Sequence, residues 1–126
     1  ALLGTASEAE LTQSVAAAMK TTPLDFAGVF SLREVKALIK RSALLVCNDA
    51  GARHIAAAFA VPSIVFFGPT SVEKTNLNLD AVQILETDDS CRPCYKRDCP
   101  IDHRCMTGIT PARVAQQSLA TLGVSS

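Results

Sequence analysis

Apolar residues along this chain recur in two rhythms, and the alternation between them sets out its elements. Three short runs, residues 43–47, 63–67 and 81–85, are almost wholly apolar and too brief for helices, so each predicts a strand. The first two carry no polar alternation, which predicts strands buried on both faces. Elsewhere the spacing lengthens to that of a helix. Leu11, Val15 and Ala18 share one face of a helix predicted from a capping box at Ser7-Glu8-Ala9-Glu10 to about Lys20. Leu32, Val35, Leu38 and Ile39 stripe a second helix. It is opened by the box Ser31-Leu32-Arg33-Glu34 and ends near Arg41, where Lys40 and Arg41 suit the negative end of the helix dipole. The Ala-rich stretch 52–60 predicts a third helix, stopped by Pro62. Thr110-Pro111 sets a cap and an N1 proline before a last helix, which runs to about Leu122 and closes at Gly123. Residues 25–30, after Thr21-Thr22-Pro23, read as a short strand, and residues 86–108 as a polar loop.

Strands alternating with helices require right-handed crossovers and a mainly parallel sheet covered on both faces. The predicted fold is therefore α/β, a Rossmann-like doubly wound domain, and 126 residues suit one domain rather than two. Twelve Lys and Arg balance twelve Asp and Glu, and there is a single Tyr. That balance gives no electrostatic footprint or stacking platform for nucleic acid. No apolar run approaches the roughly 20 residues that cross a bilayer. The first residues lack the basic and apolar regions of an export signal, so the expected compartment is the cytoplasm. The opening Ala1-Leu2-Leu3-Gly4 resembles the end of a strand, which leads us to expect a fragment of a longer protein.

In such a sheet, ligands bind beyond the carboxyl ends of the strands. Two loops leave neighbouring predicted strands there, Asn48-Asp49-Ala50-Gly51 and Gly68-Pro69-Thr70. The first opens into a helix, so the free N–H groups of Ala50, Gly51 and Ala52 form an anion-binding terminus, with His54 in the first turn. Gly51 admits a close approach to phosphate, and Thr70 offers a hydroxyl. More ordinary readings stand beside these: Asp49 as an N-cap, His54 as a surface residue, and Gly68-Pro69-Thr70 as a plain turn.

The runs Asn48-Asp49-Ala50-Gly51-Ala52-Arg53-His54-Ile55-Ala56-Ala57-Ala58, Val61-Pro62 and Phe67-Gly68-Pro69-Thr70 resemble the C-terminal half of ADP-heptose:lipopolysaccharide heptosyltransferases, glycosyltransferase family 9. The segment Phe30-Ser31-Leu32-Arg33-Glu34, with Cys105-Met106 and Ile109-Thr110-Pro111, is similar to that family as well. The resemblance implies a two-domain GT-B enzyme that transfers heptose, with inversion, from ADP-heptose to the lipopolysaccharide inner core. This chain, residues 1–126, would supply the ADP-sugar-binding half, and the acceptor site and catalytic base would lie in the other domain. No catalytic residue is then expected here beyond a supporting role for His54, and the isolated chain is expected to be inactive. By the same resemblance Asp49, Ala50, Gly51 and Ala52 would contact the diphosphate, His54 would sit behind them, and Gly68 and Thr70 would line the adjoining wall. Phe30 would pack near the adenine; an ordinary core aromatic is its other reading. Ala50 stands where many relatives have Ser or Thr, which removes a hydroxyl, and the basic residue that relatives use on the phosphates would lie upstream of Ala1. The acceptor leaves room for peripheral contact at the inner face of the bacterial inner membrane.

Five cysteines complete the pattern. Cys47 lies in an apolar run and reads as a small buried hydrophobe. Cys91-x2-Cys94-x4-Cys99-x5-Cys105 has the spacing of a small structural zinc site, with His103 as an alternative fourth ligand; free thiols or disulfides fit equally well. No cofactor is required for the chemistry itself. Arg92, Lys96, Arg97 and Arg104 make this loop locally basic, to be read either as a solvated loop or as a contact with an acidic lipopolysaccharide core or the sister domain. Two other classes compete with the transferase reading. A nucleotide-binding module of a dehydrogenase or another GT-B transferase is weakened, for the dehydrogenase, by the absence of Gly-x-Gly-x-x-Gly. A non-enzymatic zinc-knuckle module would act through the cysteine loop.

Overall fold

The computed structural model describes residues 1–75 and 79–124. The chain divides into two compact units, Ala1–Leu38 and Ile39–Ser126.

In the first unit a 3-10 turn, Ala6–Glu8, leads into helix α1, Ala9–Ala18. The capping box expected at Ser7 forms two residues earlier. The Thr5 amide and hydroxyl both donate to Glu8 Oε2 at 2.7 Å. Thr5-x-x-Glu8 satisfies the same spacing rule as Ser7-x-x-Glu10, and the 3-10 turn selects the earlier register. The buried side chain of α1 is Thr12, whereas Leu11 and Val15 are exposed. Its hydroxyl donates to Asp25 Oδ2 at 2.9 Å. The strand expected at residues 25–30 is reduced to one parallel bridge between Leu2 and Asp25. Asp25 Oδ1 accepts the Ala27 amide at 3.1 Å and Gly28 takes a φ of +70°, and together these turn the chain away from extended structure.

Helix α2, Leu32–Lys40, begins with the expected box. The Ser31 amide and hydroxyl donate to Glu34 Oε2 at 2.8 and 2.6 Å. Hydrogen bonds from Ser31 hold the Glu34 carboxyl below its ordinary pKa, and those from Thr5 do the same for Glu8.

The second unit is built on three parallel strands in the order β1 (Leu45–Asn48), β2 (Ser63–Phe67) and β3 (Val82–Glu86). Leu45 pairs with Ser63 and Asn48 with Phe66, while Ser63 pairs with Val82 and Phe67 with Glu86. The central strand is buried on both faces, as its unbroken apolar run predicts: Ile64, Val65 and Phe67 have no exposed surface. The edge strand β1 differs from expectation. Leu45 and Cys47 are half-buried while Val46 and Asn48 are exposed. This alternation shows that β1 is packed more closely on the Leu45 and Cys47 face than on the other.

Helix α3, Gly51–Ala58, crosses from β1 to β2, and α4, Arg104–Thr107, and α5, Pro111–Thr121, follow β3. Ile64, Leu85 and Ile109 form a buried cluster, with Leu44, Phe66 and Val114 packed against it. Val114 brings α5 to the Ile64 and Phe66 face of β2. The Arg53 guanidinium, on α3, lies over the Phe67 ring at 5.7 Å on the opposite face. Helices thus cover both faces of the central strand, the doubly wound arrangement that the pattern predicts. Thr110 caps α5 by accepting the Arg113 amide at 3.3 Å, with Pro111 at the first helical position. The polar loop expected over residues 86–108 differs at both ends: Glu86 completes β3, and residues 104–107 form α4. Among the described residues no helix is long and apolar enough to cross a membrane.

A Cβ on Gly108 would lie 2.7 Å from Thr87 Cγ2 and 3.0 Å from the Arg104 carbonyl oxygen. Because the second neighbour is backbone, Gly108→Ala is expected to cost about 1–3 kcal/mol, read from the urea midpoint. The helix caps carry a pH signature. Glu8 and Glu34 titrate below the ordinary value of 4.5, so their contribution is present above that pH and is lost as pH falls through their lowered values. Glu34→Gln is expected to flatten that acid limb in a far-UV circular dichroism titration.

Candidate functional site

The loops after β1 and β2 leave neighbouring parallel strands at the same edge of the sheet. The Asp49 amide donates to the Phe66 carbonyl at 3.1 Å, which carries the β1–β2 pairing one step into the first loop. The two loops converge on one cavity of about 300 Å³, to which Asn48, Asp49, Gly68, Pro69 and Thr70 contribute. The far wall comes from the cysteine-bearing segment, through Cys94, Lys96, Arg97, Cys99, His103 and Met106. Thr70 Oγ1 is buried and has no hydrogen-bond partner. A hydroxyl left without a partner away from water is costly, and it lines this cavity.

The structure thus brings Asp49, Gly68 and Thr70 together. Ala50, Gly51 and Ala52 form the mouth of α3. Ala50 and Gly51 are exposed, and a Cβ added to Gly51 would meet nothing within 4 Å. His54 is exposed on α3 and is not part of the cavity wall. Phe30 belongs to the first unit and packs against Phe26, with ring centroids 4.9 Å apart.

Asp49 does not act as the N-cap, its simplest sequence reading. That position falls to Ala50, and Asp49 Oδ1 accepts Arg53 Nε at 2.8 Å, one helical turn on. Arg53 has no exposed surface. Arg53 has no role among the residues expected from sequence to form the site, although its i,i+4 spacing from Asp49 is the local signal of this pair. The ion pair balances the carboxylate, so the cavity wall beside the helix terminus carries no uncompensated negative charge.

Arg92 joins the cysteine segment to the second loop. Its Nε donates to the Gly68 carbonyl at 2.6 Å and its Nη2 to Glu86 Oε2 at 2.8 Å, while Nη1 donates to the Thr87 carbonyl. Pro69 O then accepts the amides of Cys94 and Tyr95 at 3.1 and 2.9 Å. Gly68 permits this closure: a Cβ there would stand 2.3 Å from Met106 Sδ and 2.9 Å from its Cγ.

All five cysteines are free. Among the described residues no group of three or more His, Cys, Asp or Glu side chains is placed to hold a metal ion. The spacing of Cys91, Cys94, Cys99 and Cys105 is therefore not matched by a gathered ligand set. Other contacts occupy two of these thiols: Cys105 is buried under Gly68 on α4, and Cys99 Sγ accepts the His103 amide at 3.3 Å.

Residues 1–104 match the family described as glycosyltransferase family 9 (heptosyltransferase). The chain is 28% identical over 126 residues to lipopolysaccharide heptosyltransferase 2 of Escherichia coli K12, a match covering 96% of this chain and 36% of that protein. It is 26% identical over 117 residues to lipooligosaccharide heptosyltransferase 2 of Campylobacter jejuni, covering 89% and 37%. The solved structure of E. coli ADP-heptose lipopolysaccharide heptosyltransferase II matches with a TM-score of 0.79 at 27% identity, over 96% of this chain and 35% of that one. A family 9 glycosyltransferase from Veillonella parvula matches with a TM-score of 0.74 at 22% identity, covering 95% and 35%, a likeness of fold alone. The chain spans little more than a third of the length of these curated relatives. The Rossmann-like, mainly parallel α/β fold expected from the hydrophobic pattern is the fold these structures share.

Removing one partner of the buried pair strands the other. Arg53→Met is expected to lose about 3–5 kcal/mol in urea denaturation, and Asp49→Asn/Arg53→Met to recover part of that loss. Burial pushes the Cys47 thiol up to about 11, with Arg53 partly opposing the shift. Its alkylation by iodoacetamide, followed by peptide mass spectrometry, is expected to be slow at pH 8 and to accelerate until pH nears that value.

Proposed function

The chain belongs to glycosyltransferase family 9, and on that premise we propose that it forms the ADP-sugar-binding part of a heptosyltransferase of lipopolysaccharide biosynthesis. The supporting observation is the meeting of the β1 and β2 loops on one cavity that holds the unpartnered Thr70 hydroxyl. A donor diphosphate in this reading lies across the mouth of α3. There the amides of Ala50, Gly51 and Ala52 face it with the positive end of the helix dipole behind them, while the Asp49 amide stays on the Phe66 carbonyl. Thr70 supplies a neutral donor from the facing loop, and Gly68 allows that wall to come close. His54, on the exposed side of the first turn, positions or balances charge at the rim rather than inside the cavity.

The transfer joins an acceptor hydroxyl to the anomeric carbon of heptose as the bond to ADP breaks, with inversion at that carbon. Positive charge develops on the sugar and negative charge on the departing diphosphate. A helix terminus aimed at the diphosphate stabilises the leaving group more in the transition state than before it. The base that takes the acceptor's proton belongs, in this reading, to another part of the full-length enzyme. That enzyme works in the cytoplasm on an inner-core acceptor carried at the inner face of the inner membrane. The cysteine segment serves as a wall of the donor cavity, and a freshly purified sample is expected to contain well below one zinc per chain by elemental analysis.

The reading is tested on the full-length protein by calorimetric titration. ADP is expected to bind and NAD not to, whereas preference for NAD would favour a dehydrogenase module. Thr70→Val is expected to weaken ADP binding by about 0.5–1.5 kcal/mol, because the lost bond is neutral. Residues 1–126 alone are expected to transfer no heptose from ADP-heptose to a heptose-deficient lipopolysaccharide acceptor; measurable turnover would overturn the division of roles.

A further inference from the structure

The cysteine segment carries four basic side chains, and the fold separates them into two pairs. Arg92 is spent on architecture, donating to the Gly68 and Thr87 carbonyls and to Glu86. Arg104 is held by Asp102, with Nε to Oδ1 at 2.9 Å and Nη2 to Oδ2 at 2.8 Å. Lys96 and Arg97 are different. Both line the cavity shared with Asp49 and Thr70, and neither takes part in an ion pair or side-chain hydrogen bond among the described residues. The backbone that delivers them is anchored, because the amides immediately before them, of Cys94 and Tyr95, both bond to Pro69 O. Lys74 Nζ lies 4.7 Å from the centre of the Tyr95 ring, a further contact on that stretch.

The opposite wall has no free anion to answer these two charges. The Asp49 carboxylate is joined to Arg53, and Thr70 contributes a neutral hydroxyl. The cavity therefore presents two uncompensated cations facing an unpartnered donor, an arrangement that attracts an anion with several acceptor oxygens.

We infer that Lys96 and Arg97 are charged ligands of the donor's diphosphate, brought to it by the cysteine segment from across the cavity and acting beside any basic group from the rest of the full-length enzyme. The inference rests on the donor-site reading given above and adds a residue pair and a role to it. Arg97 can pair two phosphate oxygens through its planar fork, while Lys96 acts as a compact charge. The diphosphate would then be held from two sides, by backbone amides at α3 and by side-chain cations of the far wall. The cysteine segment acquires a function that needs no metal: it carries charge to the leaving group.

The test uses the full-length protein and three probes of graded charge: ADP, AMP and adenosine. Lys96→Gln and Arg97→Gln are each expected to raise the dissociation constant for ADP about tenfold or more, to affect AMP less, and to leave adenosine unchanged. The loss should shrink as salt is raised, because the wild-type affinity carries the screened charge contribution. Arg104→Gln, which removes an equal charge from the same segment but outside the cavity, is expected to leave ADP binding unchanged. Unaltered melting temperatures would show that the exposed positions 96 and 97 do not act through folding. If wild-type protein binds ADP and both variants bind it equally well, the inference fails while the donor-site reading stands. A rise in the acceptor KM with ADP affinity intact also overturns it, by assigning the cations to the acceptor. Absence of ADP binding by the wild-type protein sinks the donor-site reading itself, and this inference with it.

Discussion

A guanidinium with no exposed surface lies over the Phe67 ring and is joined to Asp49 at 2.8 Å. Taking that charge out of water is costly, and the carboxylate one turn earlier, together with the ring, is what makes the position tenable. The pair ties three elements at one point: the turn that ends β1, the first turn of α3 and the last residue of β2. With the turn tied there, the helix begins at Gly51, where an added Cβ would meet nothing within 4 Å. The negative charge that sequence alone would place beside an anion site is already neutralised.

The second constraint is closeness. The segment after β3 returns to the carboxyl edge of the sheet and seats Met106 and Cys105 against Gly68, where no side chain beyond hydrogen would fit without displacing them. Arg92 locks that approach by bonding to the Gly68 carbonyl, and Pro69 O receives two further amides. A stretch that reads as a solvated polar loop thereby becomes a wall. Its cysteines are distributed through that wall, with Cys105 buried in it and Cys94 and Cys99 at the cavity. Burial, together with its neighbouring cysteines, raises the Cys105 thiol above its ordinary range. The thiol form suits a residue that fills space.

The proposed donor site follows from the architecture of the second unit. Parallel strands end at one edge, the loops that leave them are the least constrained backbone nearby, and a helix begins there with unsatisfied amides. In such a fold most of the binding chemistry is main-chain, which is why an alanine at position 50 is compatible with an anion site. In the proposed reading, the side chains supply what amides lack, namely full positive charge.

Much of this was legible in the residues themselves. Unbroken apolar runs mark the strands, the Ser31 box and Thr110-Pro111 mark helix starts, and Asp49, Gly68 and Thr70 mark loops at one edge of the sheet. These signals are local: hydrophobic period, capping geometry and turn chemistry depend on residues a few positions apart. The choice between Thr5 and Ser7 as a cap, the exposure of one face of β1 and the loss of a strand at 25–30 were not legible, because each depends on what lies alongside in space. Equally hidden was the sorting of four basic residues in one segment: Arg92 anchors the segment, Arg104 pairs with Asp102 on the surface, and two face the cavity. A side chain's charge is written in the sequence, but whether a partner neutralises it is decided by distances that only the folded chain creates.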